Sequence, residues 1–197
     1  MEKITSFSGT ALPLERSDVD TDQIIPSDWL KRVERTGFGA GLFGEWRTDP
    51  NFILNNAIYA GAKVLIAGPN FGTGSSREHA VWALTDYGFK AVVSSKFGDI
   101  FFNNSTKAGL VLVTIPASIV TRLQAEVLHN PKLNFTIDIS TRTFSCDELS
   151  ISETFPLDEF TRHRFLEGLD DIGITLTHEA DIIIYEQSRR SWLPLLV

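Results

Sequence analysis

The strongest constraint on the fold lies between residues 63 and 115, where apolar runs alternate with segments of helical periodicity. Three apolar runs of strand length occupy residues 63–68, 90–95 and 110–115. Unbroken runs of this kind are typical of strands that are covered on both faces. Apolar spacing of three and four residues predicts a helix over 77–88, and a shorter helix is predicted over 101–108. Such alternation requires parallel pairing with right-handed crossovers, so the sequence predicts an α/β fold with a parallel βαβαβ core.

Weaker patterns lie on the C-terminal side of this core. Additional shorter strands are predicted over residues 135–139, 143–144 and 148–151. Further helices are predicted over residues 116–128, 161–169 and 178–188. The chain shows no internal repeat and no low-complexity tract, and its 197 residues are enough to bury one core. We therefore predict a single domain over residues 1–197.

Charge and composition exclude several classes of partner. The formal net charge is -7, and the hydrophobic content of 43% is that of an ordinary globular protein. A negative chain is a poor partner for nucleic acid or for an anionic membrane, and no apolar run reaches membrane-spanning length. The chain opens without an apolar leader segment, so we expect a cytoplasmic protein. An anionic ligand would have to be held by a local positive site.

Residues that bind metals are sparse in this sequence. Cys146 is the single cysteine, whereas iron–sulfur clusters require three or four thiolates. The histidines occur without the spacing of metal ligands, at His79, His129, His163 and His178. We therefore expect that this chain binds no metal ion or cluster by itself.

The aspartates Asp18, Asp20 and Asp22 alternate like the first ligands of a calcium-binding loop. The match ends there, because Gln23 stands where the loop needs glycine and Trp29 stands where it needs glutamate. A calcium loop is excluded, and a solvated turn residue is the simplest interpretation of Asp18.

Residues 72–79, Gly-Thr-Gly-Ser-Ser-Arg-Glu-His, connect the first predicted strand to the helix that begins near Arg77. The backbone N–H groups of residues 72–76, the helix start and the Arg77 guanidinium would together favour an anion. A dinucleotide-binding loop is excluded because Arg77 stands where the third glycine is required. A Walker-type phosphate loop is excluded because no lysine occurs between Lys63 and Lys90.

A purely structural interpretation of the same segment stays open. Ser75 could cap the helix, and Glu78 at the third helical position could complete a capping box. The two interpretations are compatible, since one serine can both cap a helix and react.

Two segments resemble motifs of a known enzyme family. Gly74-Ser75-Ser76-Arg77-Glu78-His79-Ala80 resembles the active-site loop of the aconitase superfamily, and Asp20-Thr21-Asp22-Gln23-Ile24-Ile25-Pro26 resembles the Thr-Asp-x-Ile-x-Pro segment of its swivelling domain. Residues 29–47, 168–173 and 192–194 are similar to the small subunits of bacterial 3-isopropylmalate dehydratase. The resemblance extends over nearly the full chain. It implies a swivelling β/β/α domain of the aconitase C-terminal type.

The resemblance implies a role for each matching residue. Ser75 would be the catalytic base, and Arg77 would bind a carboxylate of the substrate. Gly74 and Ser76 would also lie against the substrate, with Ser76 donating a hydrogen bond to the intermediate. Support for this loop would come from Asp20, Thr21 and Asp22.

The glycine-rich stretch at residues 36–51 differs from its surroundings. Its aromatic residues, which we predict to be exposed, are Phe38, Phe43 and Trp46. Glycine at this density costs backbone entropy on ordering, so we predict a mobile loop. The loop could lie over the site or could be a disordered excursion on the surface.

Substrate discrimination in the family lies around this region, which implies an apolar contact for the isopropyl group. The candidates for that contact are Trp29 and Leu30, although Lys31, Arg32 and Arg35 lie close by. The role of the apolar C-terminal residues 192–197 is also open, since a packed tail and an exposed docking strip fit equally well.

The resemblance also implies an activity and a partner. The expected reaction is the isomerisation of 2-isopropylmalate to 3-isopropylmalate through 2-isopropylmaleate, a hydro-lyase step of leucine biosynthesis. A [4Fe–4S] cluster would be carried by a large subunit, in a heterodimer or larger assembly, and a small dicarboxylate would be the substrate. The alternatives are the small subunit of homoaconitase or of a methylmalate or citraconate hydratase, or a non-catalytic anion-binding module. A stand-alone dehydrogenase is disfavoured by the glycine pattern.

Overall fold

The fold is built on one mixed β-sheet. A computed structural model of the chain describes residues 1–31, 36–75, 77–190 and 192. Its strands are β1 (Ser6–Leu14), β2 (Val64–Ala67), β3 (Ala91–Ser94), β4 (Val111–Thr114), β5 (Asn134–Asp138), β6 (Thr143–Cys146) and β7 (Ile151–Thr154). They form a seven-stranded sheet in the order β4-β3-β2-β1-β5-β6-β7.

Strand β1 divides the sheet into a parallel half and an antiparallel half. Its C-terminal part pairs in parallel with β2, in the register Ala11 to Val64, and β2, β3 and β4 continue the parallel half. Its N-terminal part pairs antiparallel with β5, in the register Ser6 to Asp138. The parallel strands β2 and β3 are buried along their whole length, as unbroken apolar runs predict. Strand β5 instead alternates buried and partly exposed residues.

The helices cover the sheet and extend beyond it. They are α1 (Thr21–Ile24), α2 (Glu78–Tyr87), α3 (Asp99–Ala108), α4 (Ala117–His129), α5 (Glu159–Glu167), α6 (Asp171–Leu176) and α7 (Glu179–Gln187). Helix α4 packs on the parallel half, where the buried Gln124 amide donates to the carbonyls of Leu14 (2.9 Å) and Ile66 (3.2 Å). In the part of the chain that the structure describes, no helix is both long and apolar enough to cross a membrane.

The predicted parallel core is confirmed, whereas one predicted strand is wrong and one observed strand was missed. The strand predicted over 148–151 is wrong, because residues 147–149 form a 3-10 turn and Ser150 has a positive φ of 51°. Strand β7 begins only at Ile151. The central strand β1 was not predicted, since Gly9 and Pro13 interrupt the pattern that marks a strand.

Residues 36–51 are more closely packed than the sequence suggests. Phe38 and Phe43 are fully buried, which makes the prediction of exposed aromatics wrong for both. Trp46 is half-buried and stacks on Phe43 at a ring separation of 5.2 Å. The glycines permit this packing, because a Cβ on Gly39 would lie 2.7 Å from the backbone nitrogen of Tyr87. Mobility of the segment stays a prediction.

An ion pair between a buried guanidinium and an exposed carboxylate connects α5 to the first residue of α6. The side chain of Arg164 is 6% exposed, and its Nη1 lies 2.9 Å from a carboxylate oxygen of Asp171. The Nε and Nη2 atoms of Arg164 have no hydrogen-bond partner among the described residues. A buried guanidinium of this kind holds its counter-ion firmly, because losing the partner would leave an uncompensated charge.

Asp158 is expected to stabilise α5 in a pH-dependent way. Hydrogen bonds from the Thr161 side chain and backbone hold the pKa of the Asp158 carboxyl below its usual range, and the backbone bond is 2.9 Å long. The stabilisation is therefore complete above about pH 5 and is lost as the pH falls through the lowered pKa. Asp158→Ala should lower the free energy of unfolding by about 1 kcal/mol at pH 7.

Urea unfolding at pH 7 and at about pH 3 measures this difference. Asp158→Asn is the matched control, because an amide caps the helix without titrating. A deficit for Asp158→Ala that stays equal at both pH values would contradict the assignment.

Candidate functional site

The candidate site lies where two loops leave the carboxyl ends of β1 and β2. Because these strands are parallel neighbours, the loops that follow them emerge at the same edge of the sheet. The Gly68 N–H donates to the Arg16 carbonyl at 3.1 Å, and the Asp18 N–H donates to the Pro69 carbonyl at 2.9 Å. Backbone bonds therefore join the two loops from their first residues.

The next contact fixes the glycine loop itself. The N–H groups of Gly72 and Thr73 both donate to the carbonyl of Val19, at 2.7 and 3.2 Å. These two donors are consumed within the fold, so the expectation that they face a ligand is wrong. Their place in the site is to bind the two loops together.

Gly72 occupies a position that only glycine fits. Its φ is +76°, in the left-handed region, and a Cβ added there would lie 2.2 Å from the ring of Phe101. Phe101 is buried and makes an edge contact with Phe71. The loop thus rests against the start of α3 with no room for a side chain.

The Thr-Asp motif and the serine loop meet directly. The Thr21 N–H donates to the Thr73 carbonyl at 3.0 Å, and the Thr21 hydroxyl donates to the Ser75 carbonyl at 3.1 Å. Asp20 caps α1 by accepting from the Gln23 N–H, while the Gln23 side chain accepts from the Asp20 N–H. Because α1 is capped in this way, Thr21 is held in a fixed position beside Ser75. Ser75 itself is exposed.

The guanidinium of Arg77 pairs with the carboxylate of Asp22 across the two motifs. The Arg77 side chain is 21% exposed, whereas that of Asp22 is 56% exposed. Helix α2 begins at Glu78. Its N-cap residue is Arg77, and the Arg77 side chain makes no capping hydrogen bond. The capping-box interpretation of Ser75 is therefore wrong, and the Ser75 hydroxyl does not cap the helix.

Among the other predicted site residues, Gly74 lies beside Asp20 and is exposed. A Cβ on Gly74 would lie 3.5 Å from that of Asp20, and its φ is +91°. The prediction for Ser76 falls outside the described residues. The described members of the two motifs are therefore joined by the Thr21 hydroxyl to the Ser75 carbonyl and by the Arg77 guanidinium to the Asp22 carboxylate.

The two apolar candidates, Trp29 and Leu30, lie on a short turn over Ser27–Lys31, which precedes the segment that packs against α2. The ring of Trp29 lies 6.4 Å from that of Phe38, and a Cβ on Gly41 would lie 2.4 Å from the indole. Leu30 is half-buried. The Phe38 N–H donates to the Asp86 carboxylate at 2.9 Å, so the helix that begins beside the site also anchors this segment.

Aromatic contacts complete that anchoring. The Phe38 ring lies 5.2 Å from the His79 ring and 5.6 Å from Trp82, both with edge geometry. His79 is therefore held in an aromatic cluster as a packed side chain. Sequence reasoning missed Val19, Phe101 and Asp86 as determinants of the site, because none belongs to a local motif.

No metal site is evident in the described ranges. Those residues contain no group of three or more His, Cys, Asp or Glu side chains that could hold an ion. Burial raises the pKa of the Cys146 thiol, which makes it a poor thiolate ligand. With one cysteine, the donor set of this chain does not fit an iron–sulfur cluster.

Comparisons with known proteins agree on the family. Residues 1–118 match the model of the aconitase C-terminal domain. A 3-isopropylmalate dehydratase small subunit from Parafrankia sp. is 57% identical over 195 residues, covering 98% of both chains. The corresponding subunit from Frankia alni is 56% identical over 197 residues, covering 100% of both chains.

A solved structure supports the architecture. The 3-isopropylmalate dehydratase structure from Methanocaldococcus jannaschii superposes with a TM-score of 0.66 and 23% identity, covering 93% of this chain and 99% of that chain. At that identity the likeness concerns the fold. It confirms the predicted aconitase-type α/β architecture.

The steric role of Gly72 can be separated from its backbone role. Gly72→Ala should lower the free energy of unfolding by at least about 2 kcal/mol, combining about 1 kcal/mol of left-handed strain with a clash against Phe101. Gly61→Ala is the matched control, because Gly61 has a φ of +78° and nothing within 4 Å of an added Cβ. It should cost about 1 kcal/mol. Denaturant unfolding compares the two, and equal costs would contradict the close approach.

Proposed function

This chain belongs to the family of aconitase C-terminal domains, and from that premise we propose that it is the small subunit of a 3-isopropylmalate dehydratase. The subunit would contribute to the isomerisation of 2-isopropylmalate to 3-isopropylmalate, by dehydration and rehydration, in leucine biosynthesis. The observation that carries the proposal is the contact between the Thr-Asp motif and the Ser-Ser-Arg loop at one sheet edge. We place the complex in the cytoplasm, as the sequence predicts.

Ser75 is the proposed base that removes the carbon-bound proton of the substrate. Its hydroxyl is exposed, and the Thr21 hydroxyl holds its carbonyl in place. A serine hydroxyl is a weak acid. To populate the alkoxide near neutral pH, the pKa of the hydroxyl has to fall by roughly six units, which corresponds to about 8 kcal/mol. A helix N-terminus supplies at most about 2 kcal/mol. The N–H groups of Gly72 and Thr73 add nothing, because Val19 already accepts from them.

Arg77 supplies part of the remaining stabilisation, and the rest is proposed to come from the partner that closes the site. Asp22 lies beside Arg77 and offsets part of its positive charge. Water also reaches Ser75 in the isolated subunit, which weakens every electrostatic contribution. We therefore expect the subunit to be inert until a partner covers the site and excludes water.

Arg77 is the proposed carboxylate-binding residue. A guanidinium has five N–H donors, and the contact with Asp22 uses Nη1, so further donors stay available for a substrate carboxylate. The same contact with Asp22 fixes the direction of the planar group. In this proposal Asp22 is a positioning residue that acts through Arg77, and Asp20 and Thr21 hold the backbone beneath it.

The partner in this proposal is the large subunit, which would carry the [4Fe–4S] cluster of aconitase-type enzymes. In that subunit the cluster would supply Lewis-acid chemistry, while Ser75 and Arg77 of this chain would accept the proton and bind the carboxylate. The full-length relatives are named small subunits, which supports a complex with a larger chain. Trp29 and Leu30 are proposed to contact the isopropyl group, because they precede the segment anchored on α2.

Ser75→Ala in the reconstituted complex should reduce turnover by at least about a thousandfold, since the proton acceptor is lost. Binding of 2-isopropylmalate should be nearly unchanged, because Arg77 is intact. Steady-state kinetics and equilibrium binding measure the two effects. Ser17→Ala, an exposed serine on the neighbouring loop, is the control and should keep full turnover. Normal turnover of Ser75→Ala would overturn the assignment of the base.

Arg77→Lys should raise the KM for 2-isopropylmalate by about ten- to a hundredfold, because an ammonium cannot form two parallel bonds to a carboxylate. Arg16→Lys is the matched control. Arg16 lies at the same sheet edge with its guanidinium 4.2 Å from the Trp46 ring, a contact that lysine can keep. An unchanged KM in Arg77→Lys would show that Arg77 does not bind the substrate carboxylate.

Assays with 2-isopropylmalate, homocitrate and citraconate separate the candidate substrates. The proposal requires 2-isopropylmalate to be the preferred substrate of the complex. If the complex prefers homocitrate or citraconate, the chain is instead the small subunit of a related hydro-lyase with the same loop. If the complex forms normally but converts none of the three substrates, the non-catalytic anion-binding module is favoured.

A further inference from the structure

The loops that follow β1 and β2 keep the register of the two strands. The strand pairing ends with Leu14 opposite Ala67, and the two chains pair again at the parallel bridge between Asp20 and Thr73. The two intervening loops therefore contain the same number of residues. Because neither loop contains an extra residue, the two chains run side by side from the sheet to the two motifs of the candidate site.

Each of these loops turns at one non-glycine residue with a positive φ. Asp18 has a φ of 54°, and Asn70 has a φ of 57°. Left-handed backbone is unfavourable for most side chains, and aspartate and asparagine are among those that tolerate it best. Asp18, which the sequence suggests is a solvated turn residue, has a partner here, because the Asn70 Nδ2 donates to its Oδ1 at 2.7 Å. The two turns are therefore joined through their own side chains.

Backbone bonds between the loops flank this side-chain bond. On the side of the sheet, the Asp18 N–H donates to the Pro69 carbonyl at 2.9 Å. On the side of the motifs, the Gly72 N–H donates to the Val19 carbonyl at 2.7 Å. The bond between Asp18 and Asn70 therefore lies where both chains turn, between the ends of the strands and the two motifs.

The side chains of the candidate site lie beyond these turns. Thr21 and Asp22 follow the turn of the first loop, and Ser75 and Arg77 follow the turn of the second. A change in φ at either turn would redirect the residues that follow it, and a displacement of about 1 Å in a catalytic group can cost about a hundredfold in rate. The same change would separate the side-chain amide from the carboxylate. The bond therefore favours the combination of turns in which the two motifs meet.

We propose that Asp18 and Asn70 are positioning residues for the reaction at Ser75. Their bond holds the two loops in the arrangement in which the Ser75 hydroxyl faces the proton of a substrate bound by Arg77. The catalytic part of this inference rests on the proposed function, whereas the coupling of the two loops does not. Neither residue of the pair is assigned a contact with the substrate.

Asn70→Asp in the reconstituted complex tests the bond, because it replaces the donor amide with a carboxylate that faces the carboxylate of Asp18. Asparagine and aspartate both tolerate a positive φ, so the backbone preference is little changed. The kcat per assembled complex should fall at least about tenfold. The KM for 2-isopropylmalate should stay within about threefold, since Arg77 keeps its donors. Steady-state kinetics on complex isolated by size-exclusion chromatography measure both constants.

Asp18→Asn provides both the conservative variant and the rescue. Alone it should keep kcat, because its amide carbonyl can still accept from Asn70. Combined with Asn70→Asp, its amide can donate to the introduced carboxylate, so kcat should return to within about threefold of the wild-type value. Ser8→Ala is the matched control, because the Ser8 hydroxyl shares an exposed 2.8 Å hydrogen bond with the Thr136 hydroxyl near the other end of β1. Its loss should leave kcat unchanged.

Hydrogen exchange in the isolated subunit tests the coupling of the loops without catalysis. Asn70→Asp should speed amide exchange in residues 71–73 at least about tenfold, because the N–H groups of Gly72 and Thr73 are held by the Val19 carbonyl on the other loop. Adding Asp18→Asn should restore the protection, and Ser8→Ala should leave it unchanged. Mass spectrometry of peptides from the exchanged protein measures these rates.

Three results would each overturn the proposal. Normal exchange in Asn70→Asp would show that the pair does not couple the loops. A normal kcat per assembled complex would leave the pair with a structural role alone. A double variant as slow as Asn70→Asp would show that the two side chains do not act through their bond. Failure of the proposed function is distinct, because the wild-type complex would then convert none of the diacids while hydrogen exchange still decided whether the pair couples the loops.

Discussion

The parallel pairing of β1 with β2 is the constraint on which the rest of the structure depends. It joins Ala11 to Val64 and brings the loops after both strands to one edge of the sheet. Backbone bonds then continue the pairing beyond the strands, through Val19 and Gly72 to Thr21 and Thr73. Each of these contacts is between residues about fifty positions apart. The side chains of the two motifs meet because their backbones are already joined.

This arrangement uses backbone polarity for structure and leaves side chains for chemistry. A loop rich in N–H groups at a helix start can bind anions through its backbone. Here the Val19 carbonyl accepts from two of those groups, so in the proposed function recognition of the ligand falls more heavily on the side chains of Ser75 and Arg77. Arg77 in turn is oriented by Asp22, at the cost of part of its net charge. Such a site is well positioned but electrostatically incomplete, which fits a subunit that depends on a partner.

The parallel core could be predicted from the sequence because its signals are local. Unbroken apolar runs and three- and four-residue spacing gave β2, β3 and β4 and the helices between them, with boundaries accurate to one or two residues. Strand β1 could not be predicted, because half of it pairs on each side of the sheet and Gly9 and Pro13 disturb its pattern. The burial of Phe38 and Phe43 was missed for a related reason. Glycine density indicates freedom in an isolated segment, but against α2 the same glycines allow close packing.

The sequence by itself determined which side chains the candidate site contains: a serine and an arginine at a strand-to-helix turn, and two aspartates in a second motif. Spacing within each motif is local, so each could be recognised alone. Only the tertiary structure decided that the motifs touch, that Arg77 pairs with Asp22 and that the Gly72 and Thr73 N–H groups are occupied. Those facts depend on the register of β1 against β2, and a register is set by packing of the whole sheet and not by any short stretch of residues.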